Sequence, residues 1–377
     1  MPTARFVLRW LVEESQGERG ERKAAGVGSW EKQKIQQLAE WLIEQGLGAL
    51  AYGRCAESEL ALRRCLQGDM FSAAAESSMK QEQLKQILQG LAQAEIPVVL
   101  LKGAALSLTV YEDPAWRTMS DVDLWLPANA MAKAAQVMVD LGYTMQGKEE
   151  RPFALQQLSR GEIQWVLPQQ MESLIEFHWS PYSGWWLVRT AAVNDTGIWT
   201  RQENLPEQTN VGQMAPEDIV IHLAVHTAVN HQFGLSALRS LVDIALTANK
   251  REVDWNIVAK RARAWRVSIA VYIVLDLLAQ LIGVEGIETS LTPLRPSKLR
   301  RWLISQFVTP QTVLAGRDLR SGAKRFLLLL LLVDRVRDMV KLIGRTLWPE
   351  QEWLEARYGG SVKHWGHLRQ IIMTREV

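Results

Sequence analysis

From Trp30 to Leu91 the apolar residues recur at helical spacing. In KIQQLAEWLIEQ, Ile35, Leu38, Trp41 and Leu42 fall at i, i+3 and i+4, and QEQLKQILQGLAQA repeats the stripe with Leu84, Ile87, Leu88 and Leu91. At Pro97 the pattern breaks into VVLLKG, a short unbroken apolar run with two β-branched residues closed by Gly103, which predicts a buried strand. A helical turn over AALSLTVYEDPAW follows. In DVDLWLP a period of two then sets Val122, Leu124 and Leu126 on one face and Asp121, Asp123 and Trp125 on the other. AMAKAAQVMVDLGY predicts a helix ending at Gly142, a position suited to a left-handed cap. EIQWVLP and SLIEFHW predict two further strands before residue 180.

From Pro216 onward the pattern is helix after helix: PEDIVIHLAVHTAVNH, SALRSLVDIALTA, VDWNIVAKRARAW, VSIAVYIVLDLLAQLI and one long RFLLLLLLVDRVRDMVKLIGRTLW. The first 30 residues are rich in Gly and charge, and read as an arm or as a single strand or helix docking late. These elements predict an α+β protein, with an N-terminal arm and helical region over 1–95, a catalytic unit of alternating strands and helices over 96–200, and a C-terminal helical region over 201–377.

Composition narrows the function classes. With 47% hydrophobic and 22% charged residues the chain is an ordinary globular one, and a net charge of +2 argues against a nucleic-acid coat or a polybasic membrane binder. Cys55 and Cys65 form no metal-ligand spacing and read as reduced thiols. The start lacks a signal-peptide pattern, and FLLLLLLV, Phe326 to Val333, is too short to cross a bilayer and reads as a buried helix. A cytoplasmic protein with no membrane partner is expected. The sixteen tryptophans are scattered rather than belted, and read as packing residues.

The candidate chemistry starts at Asp121 and Asp123. Two carboxylates a few ångströms apart on one strand face repel unless a cation lies between them, and hard oxygen ligands suit Mg²⁺. One such pair is expected by chance in a chain this long, so the spacing alone decides little. Glu176, set among Ile175, Phe177 and Trp179, is costly to bury without a partner and makes a third ligand. His178 shares its face. Lys102 and Gly103 precede a helix start at Ala104, where free N–H groups attract phosphate; a lysine beside a turn glycine is the plainer reading. Arg117 and Ser120 could touch a triphosphate, or be a surface arginine and a turn serine.

Together these residues carry a resemblance. LKGAALSLTVYEDPAWRTMSDVDLWLP resembles the signature of the uncharacterised nucleotidyltransferase family within the DNA polymerase β-type superfamily: Leu-Lys-Gly, a Tyr and Pro, an Arg, then a Ser/Thr-Asp-hydrophobic-Asp strand. IEFHW is similar to that family's acid-hydrophobic-His-Trp strand, and HLAVHTAVNHQFGLSALRSLVDIALTA to its His-containing helix followed by a Leu-Arg-x-x-x-Asp helix. The resemblance covers roughly residues 80 to 250. It implies a polymerase β-type mixed sheet, with Asp121, Asp123 and Glu176 as catalytic ligands of two Mg²⁺ ions. Lys102, Gly103 and Ala104 take the place of the superfamily's phosphate-binding turn. Ala104 stands where serine is usual, so triphosphate contact falls to Lys102, Arg117 or Ser120, with His178 lining the same cleft.

Other motifs are weaker. His222, His226 and His231 put two imidazoles at i, i+4, but the HExxH glutamate is missing, and packing or capping is the better reading. GYTMQGKE nearly matches a phosphate loop, yet Glu149 replaces the hydroxyl residue and a helix precedes it. KRARAWR reads as a solvated basic face. The expected activity is transfer of a nucleoside monophosphate from an NTP, ATP among the candidates, to a small-molecule, peptide or protein acceptor, with nucleic acid not expected. The alternatives are a degenerate relative that binds a nucleotide or a peptide or protein without turnover, and a kinase-like phosphotransferase.

Overall fold

The computed structural model describes residues 2–13, 30–146, 153–158, 161–168, 170–205, 210–316, 322–360 and 363–373. Among them seven strands form one mixed sheet: β1 (Val98–Leu100), β2 (Asp121–Trp125), β3 (Thr144–Gln146), β4 (Glu162–Leu167), β5 (Gln170–His178), β6 (Glu203–Asn204) and β7 (Val211–Gln213). Their order is β3-β4-β5-β2-β1-β7-β6. β2 runs parallel to β5 and antiparallel to β1, and β1 runs parallel to β7. The protein is α+β, a mixed sheet between large N- and C-terminal helical regions.

Alternation along the central strands sorts their side chains into two cores. Val98 and Leu100 join Val122, Leu124, Ile175 and Phe177 beneath the long helix Leu60–Gln93 and the helix Met131–Asp140. On the other face Val99, Leu101 and Trp125 meet a larger core built from both ends of the chain. Leu8 and Leu11 of the helix Pro2–Val12, Leu42 and Leu62 lie there with Val220, Leu241 and Val274 of the C-terminal helices. The docking helix at the start of the chain is thus the form that its first residues take; residues 14–29 lie outside those described.

Several boundaries differ from the sequence pattern, each for a physical reason. The sheet extends past residue 200 to Gln213, because β7 is laid beside β1 by a contact that local periodicity does not encode. β3 was not predicted, since all three of its residues are exposed and it has no apolar face. The helix expected from Ala104 begins at Lys102, which holds φ +46. Gly142, at φ +86, caps its helix as expected, with the Tyr143 N–H donating to the Met138 carbonyl at 2.9 Å. The long C-terminal helix is two helices, Gly322–Leu332 and Val336–Leu347. Between them the Asp334 carboxylate accepts the N–H groups of Ser268 and Ile269, both at 2.9 Å. Those are orphan donors in the first turn of the helix Ser268–Leu281, and satisfying them outweighs helix continuity. The basic segment Lys260 to Arg266 is not all solvated: Arg261 donates to Asp218 at 2.8 Å and lies 3.3 Å from Glu217.

One close approach sets the loop that feeds β2. A Cβ on Gly53 would lie 2.1 Å from Cε2 of the buried Trp116, whose ring cannot swing aside as a flexible chain would. Gly53→Ala is expected to destabilise the protein by about 1–3 kcal/mol through this overpacking, read as a lower urea midpoint with the slope unchanged.

Candidate active site

The cleft lies where β2 and β5 face the C-terminal helices, on the sheet face opposite the long helix Leu60–Gln93. Because β2 and β5 pair in parallel register, Asp123 is directly opposite Glu176, and β4 sets Gln164 beside Glu176 on the other side. Ile175 and Phe177 turn into the core, so Glu176 and His178 turn to the cleft. The Gln164 amide donates to Glu176 Oε1 at 2.7 Å, fixing that carboxylate. His178 Nε2 donates to Asp123 Oδ1 at 2.7 Å and lies 3.6 Å from Glu176 Oε2. A carboxylate only accepts, so Nε2 carries the proton, and Nδ1 is left buried with no hydrogen-bond partner.

Lys102 completes this cluster. Its Nζ donates to Asp123 Oδ1 at 2.7 Å, reaching across from the turn after β1. A non-glycine residue at positive φ is strained, and here the strain sits at the residue whose side chain enters the site. Burial opposes charge on the ammonium, but Asp123, Asp121 and Glu176 outweigh it and hold the lysine above its ordinary range. Burial likewise opposes the Asp123 charge, yet Lys102 and His178 hold its carboxyl well below the usual carboxylate range. Asp123 is therefore ionised at any working pH.

The cleft encloses 290 Å³ and brings together eight of the nine residues singled out from the sequence: Lys102, Gly103, Arg117, Ser120, Asp121, Asp123, Glu176 and His178. Ala104 is not among them; its side chain is buried in the core on the opposite face of the sheet. Asp121 stands at the mouth, accepting from Ser120 Oγ at 2.9 Å. Arg117 is committed elsewhere. Its Nε and Nη2 grip Asp243 at 2.8 Å each, Nη1 donates to the Thr118 carbonyl, and Tyr111 donates its hydroxyl to Asp243 at 2.7 Å. Arg117 braces the loop before β2 against the C-terminal helices while lining the cleft wall.

A further cation of the cleft wall, among the described residues, is one that sequence reasoning did not single out. Arg239 lines the cleft, half-buried, with Nη1 only 3.3 Å from the Thr118 carbonyl. The neighbouring Arg117, followed by burial, lowers it to about 10, which still leaves it charged at neutral pH. His226, Asn230 and His231 also face the cleft, from a π-helical turn over His226–Asn230. The Leu-Arg-x-x-x-Asp spacing was the available signal for Arg239, but it does not say that Asp243 takes Arg117 and leaves Arg239 to the cleft.

Behind them His222 is fully enclosed, its ring edge-on to Tyr182 at 5.4 Å and both nitrogens without a partner. Burial, then Lys102, pushes it down to about 3 from 6.5, and His226 is depressed as well. The fold holds these rings neutral while the unfolded chain takes up protons near pH 6.5. For His222, stability from this source is therefore complete above that pH and lost as pH falls toward about 3, by about 1.4 kcal/mol per pH unit, and the His226 contribution has the same sign. His222→Met is expected to lose less stability between pH 7 and pH 5 than the parent, as read from urea midpoints; parallel losses would refute the assignment.

Among the described residues, the one group whose side chains could together hold a metal ion is Asp123, Glu176 and His178, with ligand atoms within 4.8 Å of one another. Two carboxylates and an imidazole whose ligand atoms lie this close form a donor set that fits a divalent cation. The phosphate-loop-like segment is only partly described: Met145 and Gln146 are in β3, and Gly147 to Glu149 lie outside the described residues. No helix among the described residues is long and apolar enough to cross a membrane. A family model described as an uncharacterised nucleotidyltransferase matches residues 31–283. That is more than half of the chain, and the chain belongs to this family. No curated protein matches it.

Proposed function

From that family membership, we propose that the cleft transfers a nucleoside monophosphate from a nucleoside triphosphate to an acceptor. The acceptor nucleophile bonds to the α-phosphorus, the bond to the β-phosphate bridging oxygen breaks, and pyrophosphate leaves. The observation that carries this reading is the paired register of Asp123 and Glu176 on adjacent parallel strands, with Lys102 and Arg239 in the same cleft. Asp123 and Glu176, with Asp121 at the mouth, would hold Mg²⁺, two ions in the fullest form. Bound there, the metal supplies charge to the reacting phosphate oxygens. Lys102 and Arg239 stabilise the phosphate tail, with His231 and Ser120 within the same wall. Glu176, held by Gln164, accepts the proton of the acceptor hydroxyl or amine. The buried Cys55 thiol, pushed up to about 12 by burial and Glu59, stays protonated and unreactive, in keeping with a cytoplasmic setting.

A second reading has its own motive. Lys102 and His178 both bond the same Asp123 oxygen, so a protein cation already neutralises the charge that a metal would meet. That favours a relative which binds nucleotide without turning it over. The test is incubation with α-labelled ATP, CTP, GTP or UTP, Mg²⁺ and cell extract, beside γ-labelled controls. Transfer of α-label that needs Mg²⁺ supports the enzyme, and γ-label on the acceptor would instead mean a kinase. Nucleotide binding by calorimetry that persists in EDTA, with no label transferred, would establish the second reading.

A further inference from the structure

The helix Val336–Leu347 packs one side and leaves another uncovered. Leu342 is buried with Trp186, Leu330 and Val333. Val336, Val340, Ile343 and Leu347 recur at i, i+4, i+7 and i+11, which places them within a narrow arc, and all are exposed, Val340 by 60%. Trp348, which follows the helix end, and Trp365 are also exposed, by 53% and 70%, with ring centroids 6.2 Å apart. Four apolar side chains within one arc, with two neighbouring indoles exposed after the helix end, are more than singly scattered surface residues.

Basic side chains flank it. Arg337, Lys341 and Arg345 recur at i, i+4 and i+8 between the apolar stripe and the packed side, all three exposed. The acids near them are buried or shared: Asp338 is buried and lies 3.6 Å from Arg337, and Glu350, which pairs with Arg345, is also held by Arg189. The charge is regional as well. From Arg295 to Val377 there are sixteen Lys and Arg against seven Asp and Glu, a net of +9 in a chain whose total is +2, so the preceding residues carry −7. A net charge taken over the whole chain hides this asymmetry.

We infer that this face rests on an anionic phospholipid surface, with the helix lying in the plane of the interface. An apolar stripe with a basic flank and tryptophans at its end matches a surface that offers hydrocarbon beneath a layer of negative headgroups. A second copy of the chain fits less well, because antiparallel two-fold pairing of this face sets one basic flank against the other, and parallel pairing leaves both flanks without acidic partners. The twelve-residue helix is too short to span a bilayer, so it lies on the membrane. The scattered tryptophans of the sequence suggest no membrane contact; folding brings Trp348 and Trp365 together.

The test uses the full chain and two sets of vesicles, phosphatidylcholine alone and phosphatidylcholine with one third phosphatidylglycerol, followed by cosedimentation. Binding is expected to the anionic vesicles and to weaken at least about tenfold on neutral ones or in high salt. Ile343→Asp, and separately Arg337→Gln with Lys341→Gln, are each expected to lower binding at least about tenfold with the thermal midpoint unchanged. Equal binding to both vesicle types, or none to either, would overturn the inference. So would a concentration-dependent dimer that Ile343→Asp dissolves, which would assign the face to a second copy.

Discussion

Asp123→Asn is expected to lower kcat/KM for nucleotidyl transfer by about a thousandfold or more, with the fold retained. The side chain is 1% exposed, and its Oδ1 is bonded by both Lys102 and His178. Asparagine keeps the shape and one accepting oxygen but removes the charge that holds the lysine and that would bind a cation. Losing several kcal/mol of charge stabilisation at a reacting phosphate corresponds to about three powers of ten in rate. α-Label incorporation with parent and variant, alongside near-UV circular dichroism to confirm packing, measures it. Label transfer at the parental rate would dispose of Asp123 as a catalytic ligand and of the proposed chemistry with it.

The second large effect is on stability. Asp243→Asn is expected to cost about 3–5 kcal/mol, because it leaves the buried Arg117 guanidinium without its counter-charge. Asp243 is the principal support of that charge, which burial opposes, and it holds Arg117 far above the need to titrate. Replacing both partners with apolar residues of similar volume, Arg117→Met with Asp243→Leu, is expected to recover most of the loss, since the cost arises from breaking the pair. Urea unfolding of Arg117→Met, Asp243→Leu and the double variant forms the cycle, beside Asp243→Asn. If Asp243→Asn unfolds at the parental midpoint, the brace between the β2 loop and the C-terminal helices contributes little.

The parts of the site that were legible in the sequence are those that local geometry fixes. A strand's period of two is enough to put Asp121 and Asp123 on one face and Val122 and Leu124 on the other, and the cores follow that division. Glu176 stood out because an acid inside an apolar run is costly unless something meets it, and Gln164 and His178 lie beside it. Lys102 was found, but its partner was not: the sequence suggested phosphate, and the ammonium bonds Asp123. For Arg117 the sequence offers a triphosphate contact or a surface position, and does not show the bond to Asp243, 126 positions away. Arg239 and His226 lie in segments that the sequence marks, but nothing in their own helices says which face meets the sheet, so their place in the cleft wall was not legible.

By itself, then, the sequence determined the α+β class, the strand faces and the acid pair, because backbone periodicity and the cost of burying charge act over a few neighbouring residues. The tertiary structure decided which arginine Asp243 holds, where β7 pairs, and which tryptophans come together. Those outcomes depend on contacts between segments far apart in the chain, whose distances are set by how two cores pack against one sheet.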